Sequence, residues 1–103
     1  MQTRIDLDSY KHFYDGLDIG HGWGHIERVR KFAIELGKKY CPEKLELIWV
    51  AATLHDIGIS VSRENHESEG AKIILEDKEI LNNYSKEEVE EIVHAVREHR
   101  AST

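Results

Sequence analysis

The stretch KLELIWVAATLHDIG, residues 44–58, decides the fold. Between Leu47 and Leu54 it is apolar on nearly every side, which is typical of a helix buried at the centre of a small protein. Immediately after that apolar run come His55 and Asp56. An ionised carboxylate and a polar imidazole are costly to bury unless they are paired or bound to a metal ion. The sequence therefore places a polar pair that needs partners at the end of its most apolar helix.

The other helices are predicted from amphipathic spacing and from capping residues. We predict a short first helix over about residues 7–15 and a second from near His25 to Gly37 or around Pro42. The apolar central helix is the third. A fourth is capped by Asn65 with His66 in its first turn, and a fifth is opened by a capping box from Ser85 to Glu88. Gly58 is expected to stop the central helix, and Asp77–Tyr84 is expected to be a connection. No segment alternates apolar and polar residues as a half-buried strand does. We therefore predict an all-α fold, a compact bundle of about five helices that forms one domain over residues 1–103.

The second helix carries the side chain expected to complete the polar site. One apolar stripe along it is predicted to face the core, and its members are Ile26, Val29, Phe32, Ala33 and Leu36. His25 opens the helix on this stripe, so we expect it to face the core with them. Neighbouring residues on a helix point about 100° apart, so one ion can meet His55 and Asp56 only from beside the helix end, with a third ligand from elsewhere. A lone His-Asp pair is a weak signal, since a surface pair or a capped helix end would look the same.

Composition excludes several classes of protein. No apolar run approaches the ~20 residues of a membrane span, and the N-terminus has no apolar signal-peptide core, so we expect no membrane association and a cytoplasmic location. The net charge of -6 disfavours binding to a nucleic-acid backbone, while a nucleotide-sized ligand stays possible. Cys41 is the only cysteine, which excludes a cysteine-rich zinc site and suits a reducing compartment. The sequence leaves the oligomeric state open.

Two segments together carry a family resemblance. HGWGHIERV, residues 21–29, opens an amphipathic helix, and AATLHDIGI, residues 51–59, closes the buried one. In this combination they resemble the signature of the HD superfamily of metal-dependent phosphohydrolases. The resemblance spans most of the chain and implies an HD-like bundle with His25, His55 and Asp56 as ligands of a divalent metal ion. Nitrogen and oxygen ligands of this kind suit Mn, Fe, Co, Ni or Zn, with Mg also open.

Two further histidines match segments of compact HD proteins. His66 lies in HESEGA, and His99 ends the helix IVHAVREH. The resemblance implies that these two hold a second metal ion or touch the substrate phosphate, so we name Asp56, His66 and His99 as candidate catalytic residues. The alternative for His66 is an ordinary polar residue in a first turn. The helical phase places His99 on the flank of the apolar stripe and His94 nearly opposite, so His94 is expected to face solvent.

The chain departs from the family pattern in two places. The family completes its metal site with an aspartate on a later helix, and no matching residue precedes Thr103. We therefore expect the chain to be the N-terminal part of a longer HD protein that lacks the family's C-terminal helices here, unless water, substrate or another chain fills that position. Ile59 stands where many relatives carry a lysine after the glycine of the HD motif. That difference leaves the subfamily and the substrate open.

The resemblance implies hydrolysis of a nucleotide or another small phosphate ester. The alternative is a catalytically silent HD-type module that binds metal or nucleotide for regulation, which the missing aspartate and Ile59 favour slightly. A purely structural helical bundle would leave the histidines unexplained. Arg28 is expected to pair with a carboxylate and brace its helix, with a phosphate contact as the alternative. Trp23 and Trp49 are expected to be core anchors rather than base-stacking platforms, although Trp23 could line the mouth of the cleft.

Overall fold

The structure, a computed structural model, describes residues 2–17 and 21–98, and within these residues it contains helices and no strand. The described chain contains five α-helices and three 3-10 helices. In chain order they are 3-10 Leu7–Tyr14, α1 Trp23–Tyr40, 3-10 Pro42–Lys44, α2 Leu45–Leu54, 3-10 Ile57–Ser60, α3 His66–Leu75, α4 Lys78–Asn83 and α5 Lys86–Glu98. The predicted all-α fold is confirmed. None of these helices is long and apolar enough to cross a membrane.

Helix α2 lies at the centre of the bundle. It packs against α1 on one side and α5 on the other, while α3 packs against α5 and the 3-10 helix Ile57–Ser60. The largest fully buried side chains come from every α-helix and from the 3-10 helix after α2: Ile26, Val50, Thr53, Leu54, Ile57, Ile74, Ile80, Ile92 and Val96. The end of α2 and the 3-10 helix that follows it therefore bring α1, α3 and the first 3-10 helix to one part of the fold.

Gly58 has a different role from the one predicted. Helix α2 already ends at Leu54, and Gly58 lies within the following 3-10 helix without a positive φ angle. A methyl group on Gly58 would overlap the carbonyl oxygen of His66 and would lie 2.5 Å from the backbone nitrogen of Gly70. Glycine is needed here because the backbone of α3 packs directly on this position, and it is this close approach that carries His66 to the end of α2.

The predicted apolar stripe of α1 is correct at Ile26 and wrong at two other positions. The exposed fractions of Phe32 and Leu36 are 64% and 45%, while Ile26 and Ile34 are buried. Of the two predicted helix ends, the one around Pro42 is correct, since α1 ends at Tyr40. Gly37 is instead buried within the helix, and a methyl group there would lie 2.8 Å from Cδ1 of Ile48 on α2. The sequence allows two overlapping stripes, and the close packing of α2 at Gly37 selects the one through Ile34.

The predicted connection from Asp77 to Tyr84 contains helix α4, so that prediction is wrong. The side chain of Asp77 caps α4 by accepting a hydrogen bond from the backbone nitrogen of Ile80 at 3.0 Å, and Ile80 is fully buried. The capping box was identified correctly: Glu88 accepts from the nitrogen of Ser85 at 2.9 Å, and Ser85 Oγ accepts from the nitrogen of Glu88 at 3.1 Å. Asn65 precedes α3 as predicted but makes no capping hydrogen bond with its side chain.

Candidate metal centre

Three predicted ligands are brought together by two helix ends. His25 is the third residue of α1, and His55 and Asp56 directly follow the last residue of α2. One potential ligand atom from each of the three lies within 4.8 Å of the other two. Nε2 of His55 is 3.2 Å from Oδ2 of Asp56, and Nε2 of His25 is 3.5 Å from the same oxygen. The two imidazoles therefore converge on one carboxylate oxygen.

These separations match the spacing of ligands around one metal ion. With metal–ligand bonds of about 2.1 Å, neighbouring ligand atoms are roughly 3.0 Å apart in an octahedral site and roughly 3.4 Å apart in a tetrahedral one. The observed distances of 3.2 and 3.5 Å lie close to this interval. Because Asp56 is buried and retains only 5% of its exposed surface, its charge is screened little by water. The arrangement fits a divalent cation held by two imidazoles and one carboxylate.

His66 lies against the other oxygen of the same carboxylate. Its Nε2 atom is 3.5 Å from Oδ1 of Asp56, and the side chain is buried. The structure thus places this predicted catalytic residue beside the candidate metal ligands, at the first residue of α3. His94 is exposed on α5, as predicted from the helical phase. His99, the remaining predicted catalytic residue, lies outside the described residues.

Backbone contacts fix which nitrogen of two histidines can bind a cation. Nδ1 of His55 lies 2.6 Å from the carbonyl oxygen of Ala52, and Nδ1 of His66 lies 2.9 Å from that of Arg63. A carbonyl oxygen can only accept a hydrogen bond, so Nδ1 carries the proton in each neutral ring. The lone pair of each neutral ring is then on Nε2, the atom that faces Asp56. Metal-binding histidines are commonly oriented in this way by a hydrogen bond from their other nitrogen.

The surroundings of His25 favour its neutral form. Burial lowers the pKa of His25 below its ordinary value, and the neighbouring His55, Arg28 and His21 lower it further, against the opposing charge of Asp56. The ring of His21 lies 6.4 Å from that of His25, centroid to centroid. A neutral imidazole is the form that binds a metal ion. His25 is therefore ready to act as a ligand at neutral pH.

Tyr14, which lies within the short first helix predicted over residues 7–15, forms part of the wall of this site. Its hydroxyl donates a hydrogen bond to the carbonyl oxygen of Thr53 at 2.7 Å, and its ring packs on Trp23. Burial raises the pKa of Tyr14, and the nearby charge of Asp56 raises it further, so the hydroxyl stays protonated. Nothing in the sequence indicated that the first 3-10 helix lies against the end of α2.

Comparison with known proteins gives one match. Residues 22–103 match a family model described as HD domain. The matched range contains every side chain of the candidate metal centre and leaves out the first 3-10 helix with Tyr14. The chain has no significant match among curated proteins or among solved structures.

Proposed function

This chain belongs to the HD domain family, and we propose that it is a metal-dependent phosphohydrolase in which His25, His55 and Asp56 hold a divalent ion. One observation carries the proposal: the Nε2 atoms of His25 and His55 both face Oδ2 of Asp56 at 3.5 and 3.2 Å. In the neutral ring of His55, whose Nδ1 carries the proton, the Nε2 lone pair and the carboxylate repel one another at this distance unless a cation or a shared proton lies between them. The lowered pKa of His25 favours its neutral ring, which is the form that binds a metal ion, and a divalent ion satisfies all three groups.

The residues of the site divide the chemistry between them. A divalent ion bound here would lower the pKa of a bound water and polarise a phosphoryl oxygen, which allows phosphate-ester hydrolysis near neutral pH. Asp56 would hold the ion through Oδ2 and, with Oδ1 toward His66, would help to orient the attacking water. His66, with its proton on Nδ1, presents Nε2 for a hydrogen bond from that water or for a second ion. His99 is the proposed second contact to the substrate phosphate.

The substrate that we propose is a nucleotide or another small phosphate ester. The net charge of -6 supports a small phosphorylated ligand over a nucleic acid, because extended phosphate backbones are held mainly by many lysines and arginines. The ion is one of Mn, Fe, Co, Ni, Zn or Mg. We expect the lighter transition metals to bind more tightly than Mg, since two imidazoles contribute to the site.

A regulatory module that binds metal or nucleotide without hydrolysis is the second candidate. The observation that favours it is Ile59, which is buried in the 3-10 helix after Asp56 and provides no cationic group beside the metal ligands. Such a module would use the same three ligands and would differ only in turnover. Metal content alone therefore does not separate the two candidates, whereas an activity assay does.

The test combines metal analysis with activity. The protein is stripped with a chelator and reloaded separately with each candidate metal, its metal content is measured by elemental analysis, and hydrolysis of nucleotides and simple phosphate esters is assayed. We expect stoichiometric binding and turnover that depends on the metal. Tight binding without turnover on any substrate would favour the regulatory module. Failure of every divalent metal to bind would contradict the phosphohydrolase and a metal-binding module, and would leave only a module that binds nucleotide without metal.

A further inference from the structure

An open cleft of about 490 Å³ lies along the first half of α1, the helix that also carries His25. Its lining contains three cationic side chains and one acidic one, contributed with the neighbouring residues by Gly24, Glu27, Arg28, Arg30, Lys31 and Trp49. This is a local excess of positive charge in a protein whose net charge is -6. A cleft lined by charges of one sign attracts ligands of the opposite sign.

Arg30 is held in a fixed position at the base of this cleft. The central carbon of its guanidinium lies 5.0 Å from the ring centre of Trp23 and 4.5 Å from that of Trp49. Its Nε atom is buried and has no hydrogen-bond partner among the described residues. A buried donor without a partner is costly, and a guanidinium stacked on aromatic rings loses little further freedom on binding. Arg30 is therefore held in place by the two rings, and no ion pair among the described residues neutralises its charge.

Arg28 extends the positive surface toward the metal centre. A methyl group on Gly24 would lie 3.6 Å from Nη1 of Arg28, so this guanidinium turns back toward the start of α1, where His25 is located. Arg28 and Lys31 are exposed and form no ion pair within the described part of the chain, so the carboxylate partner expected for Arg28 is not found there. Helix α1 also begins with no acidic residue in its first turn, so no side chain of that turn offsets the positive end of its dipole.

The opposite side of Arg30 is acidic but does not neutralise it. A smaller cavity of about 240 Å³ is lined by Asp6 and Asp8 together with Arg30 and Trp49. Neither aspartate forms an ion pair with Arg30 in the described structure. These carboxylates would repel an anion on their own side, so an anionic ligand is directed to the side of Arg28 and Lys31.

We propose that Arg28, Arg30 and Lys31 form a binding site for an oligophosphate anion. This anion is the part of the substrate that lies away from the metal ion, and that second assignment rests on the proposed function. Guanidinium groups bind phosphate oxygens through two parallel hydrogen bonds, and three cations match the several charges of linked phosphates. Arg28 is one helical turn from His25, about 4.5 Å along the helix axis, which is close enough for one ligand to reach both sites.

The test uses tripolyphosphate and the full chain in the presence of a chelator, so that no metal contributes to binding. Trp23 and Trp49 are the only two tryptophans of the chain, and both contact Arg30, so tryptophan fluorescence reports on this site directly. We expect a saturable fluorescence change whose Kd rises with salt concentration. The double variant Arg28→Gln/Lys31→Gln should raise this Kd roughly tenfold or more, because it removes two charge-assisted contacts.

The matched control is Lys11→Gln/Lys78→Gln, which removes the same charge from exposed positions on other helices. It should leave the Kd within about twofold of the unmodified chain, since exposed charges far from a site are screened, and circular dichroism should show both double variants folded. The proposed site would be overturned if the two double variants raised the Kd for tripolyphosphate equally. It would also be overturned if the fluorescence showed no saturable change at millimolar tripolyphosphate.

The assignment to substrate has its own test in the metal-loaded protein. In that form of the protein, the Arg28→Gln/Lys31→Gln variant should raise KM for an oligophosphate substrate more than it lowers kcat. An unchanged KM would overturn the assignment to substrate. Binding by the metal-free chain without hydrolysis by the loaded chain would support the anion site while contradicting the proposed function.

Discussion

The Nε2 atom of His66 lies 3.5 Å from Oδ1 of Asp56, while His25 and His55 share Oδ2 of the same carboxylate. Three imidazoles, from α1, the end of α2 and the start of α3, thus lie against the two carboxylate oxygens of one buried side chain, two of them at Oδ2 and one at Oδ1. Asp56 is the group that all three contact. The contact with His66 depends on Gly58, because α3 could not approach if a side chain stood at that position.

Asp56→Ala should abolish metal binding and leave the helices formed. The variant removes the oxygen that His25 and His55 both face, whereas the buried apolar side chains of the core are untouched. We expect the metal content to fall from stoichiometric to background by elemental analysis, with an unchanged far-ultraviolet circular dichroism spectrum. Asp8→Ala, at an exposed position of the first 3-10 helix, is the control and should keep its metal. Stoichiometric metal in the Asp56 variant would refute the ligand assignment.

His66→Ala should lower turnover far more than His94→Ala. His66 is buried beside Asp56, whereas His94 is exposed on the outer face of α5. If the chain is active, loss of a group that positions or accepts a proton should reduce kcat by about 100-fold or more. His94→Ala should stay within about twofold, since exposed substitutions away from the site have small effects. We expect His99→Ala to follow His66. Equal losses for all three variants would contradict this division of roles.

Gly58→Ala should destabilise the fold and disturb the metal centre together. The added methyl group would overlap the carbonyl oxygen of His66, so α3 must move away and carry the imidazole with it. Overpacking of this kind costs about 1–3 kcal/mol in the free energy of unfolding, measurable by denaturant titration. Gly24→Ala is the matched control, because its methyl group would meet only Nη1 of Arg28 at 3.6 Å. That variant should change stability by less than about 1 kcal/mol. Equal destabilisation by the two variants would mean that the close approach at Gly58 is not limiting.

Stability should depend on Glu88 in acid. Arg4 donates to both oxygens of Glu88, at 2.9 and 2.8 Å, and these hydrogen bonds lower the pKa of Glu88 from 4.5 to about 2. A carboxyl whose pKa is lowered by folding contributes stability above its unfolded pKa, and the contribution is lost as the pH falls from 4.5 toward 2.

Glu88→Gln should therefore lower the free energy of unfolding at neutral pH. The loss should be about 1 kcal/mol or less because both side chains are partly exposed, and the difference should vanish near the lowest pH of that interval. Glu91→Gln, which removes a single exposed contact with Lys44, should have a smaller effect at neutral pH. A difference between Glu88→Gln and the unmodified chain that persists unchanged into acid would contradict the assigned cause.

Local signals in the sequence were sufficient for several elements. The capping box from Ser85 to Glu88 was predictable because both of its hydrogen bonds join residues three apart. The exposure of His94 to solvent was predictable from the helical phase of α5. Helix α4 was missed although Asp77 caps it, because a helix of only six residues shows little periodicity. The misplaced stripe at Phe32 and Leu36 shows that periodicity can define two overlapping faces and that only the neighbouring helix selects one of them.

By itself, the sequence determined that this chain is all-helical and that His25, His55 and Asp56 lie at helix ends where polar groups need partners. Those properties depend on residues within a few positions of one another. Only the tertiary structure decided that His66 contacts the second oxygen of Asp56, that Tyr14 forms a wall of the site, and that two tryptophans 26 residues apart hold Arg30 between them. These contacts join separate helices, and the packing that brings the helices together is set by the whole core at once rather than by any local pattern.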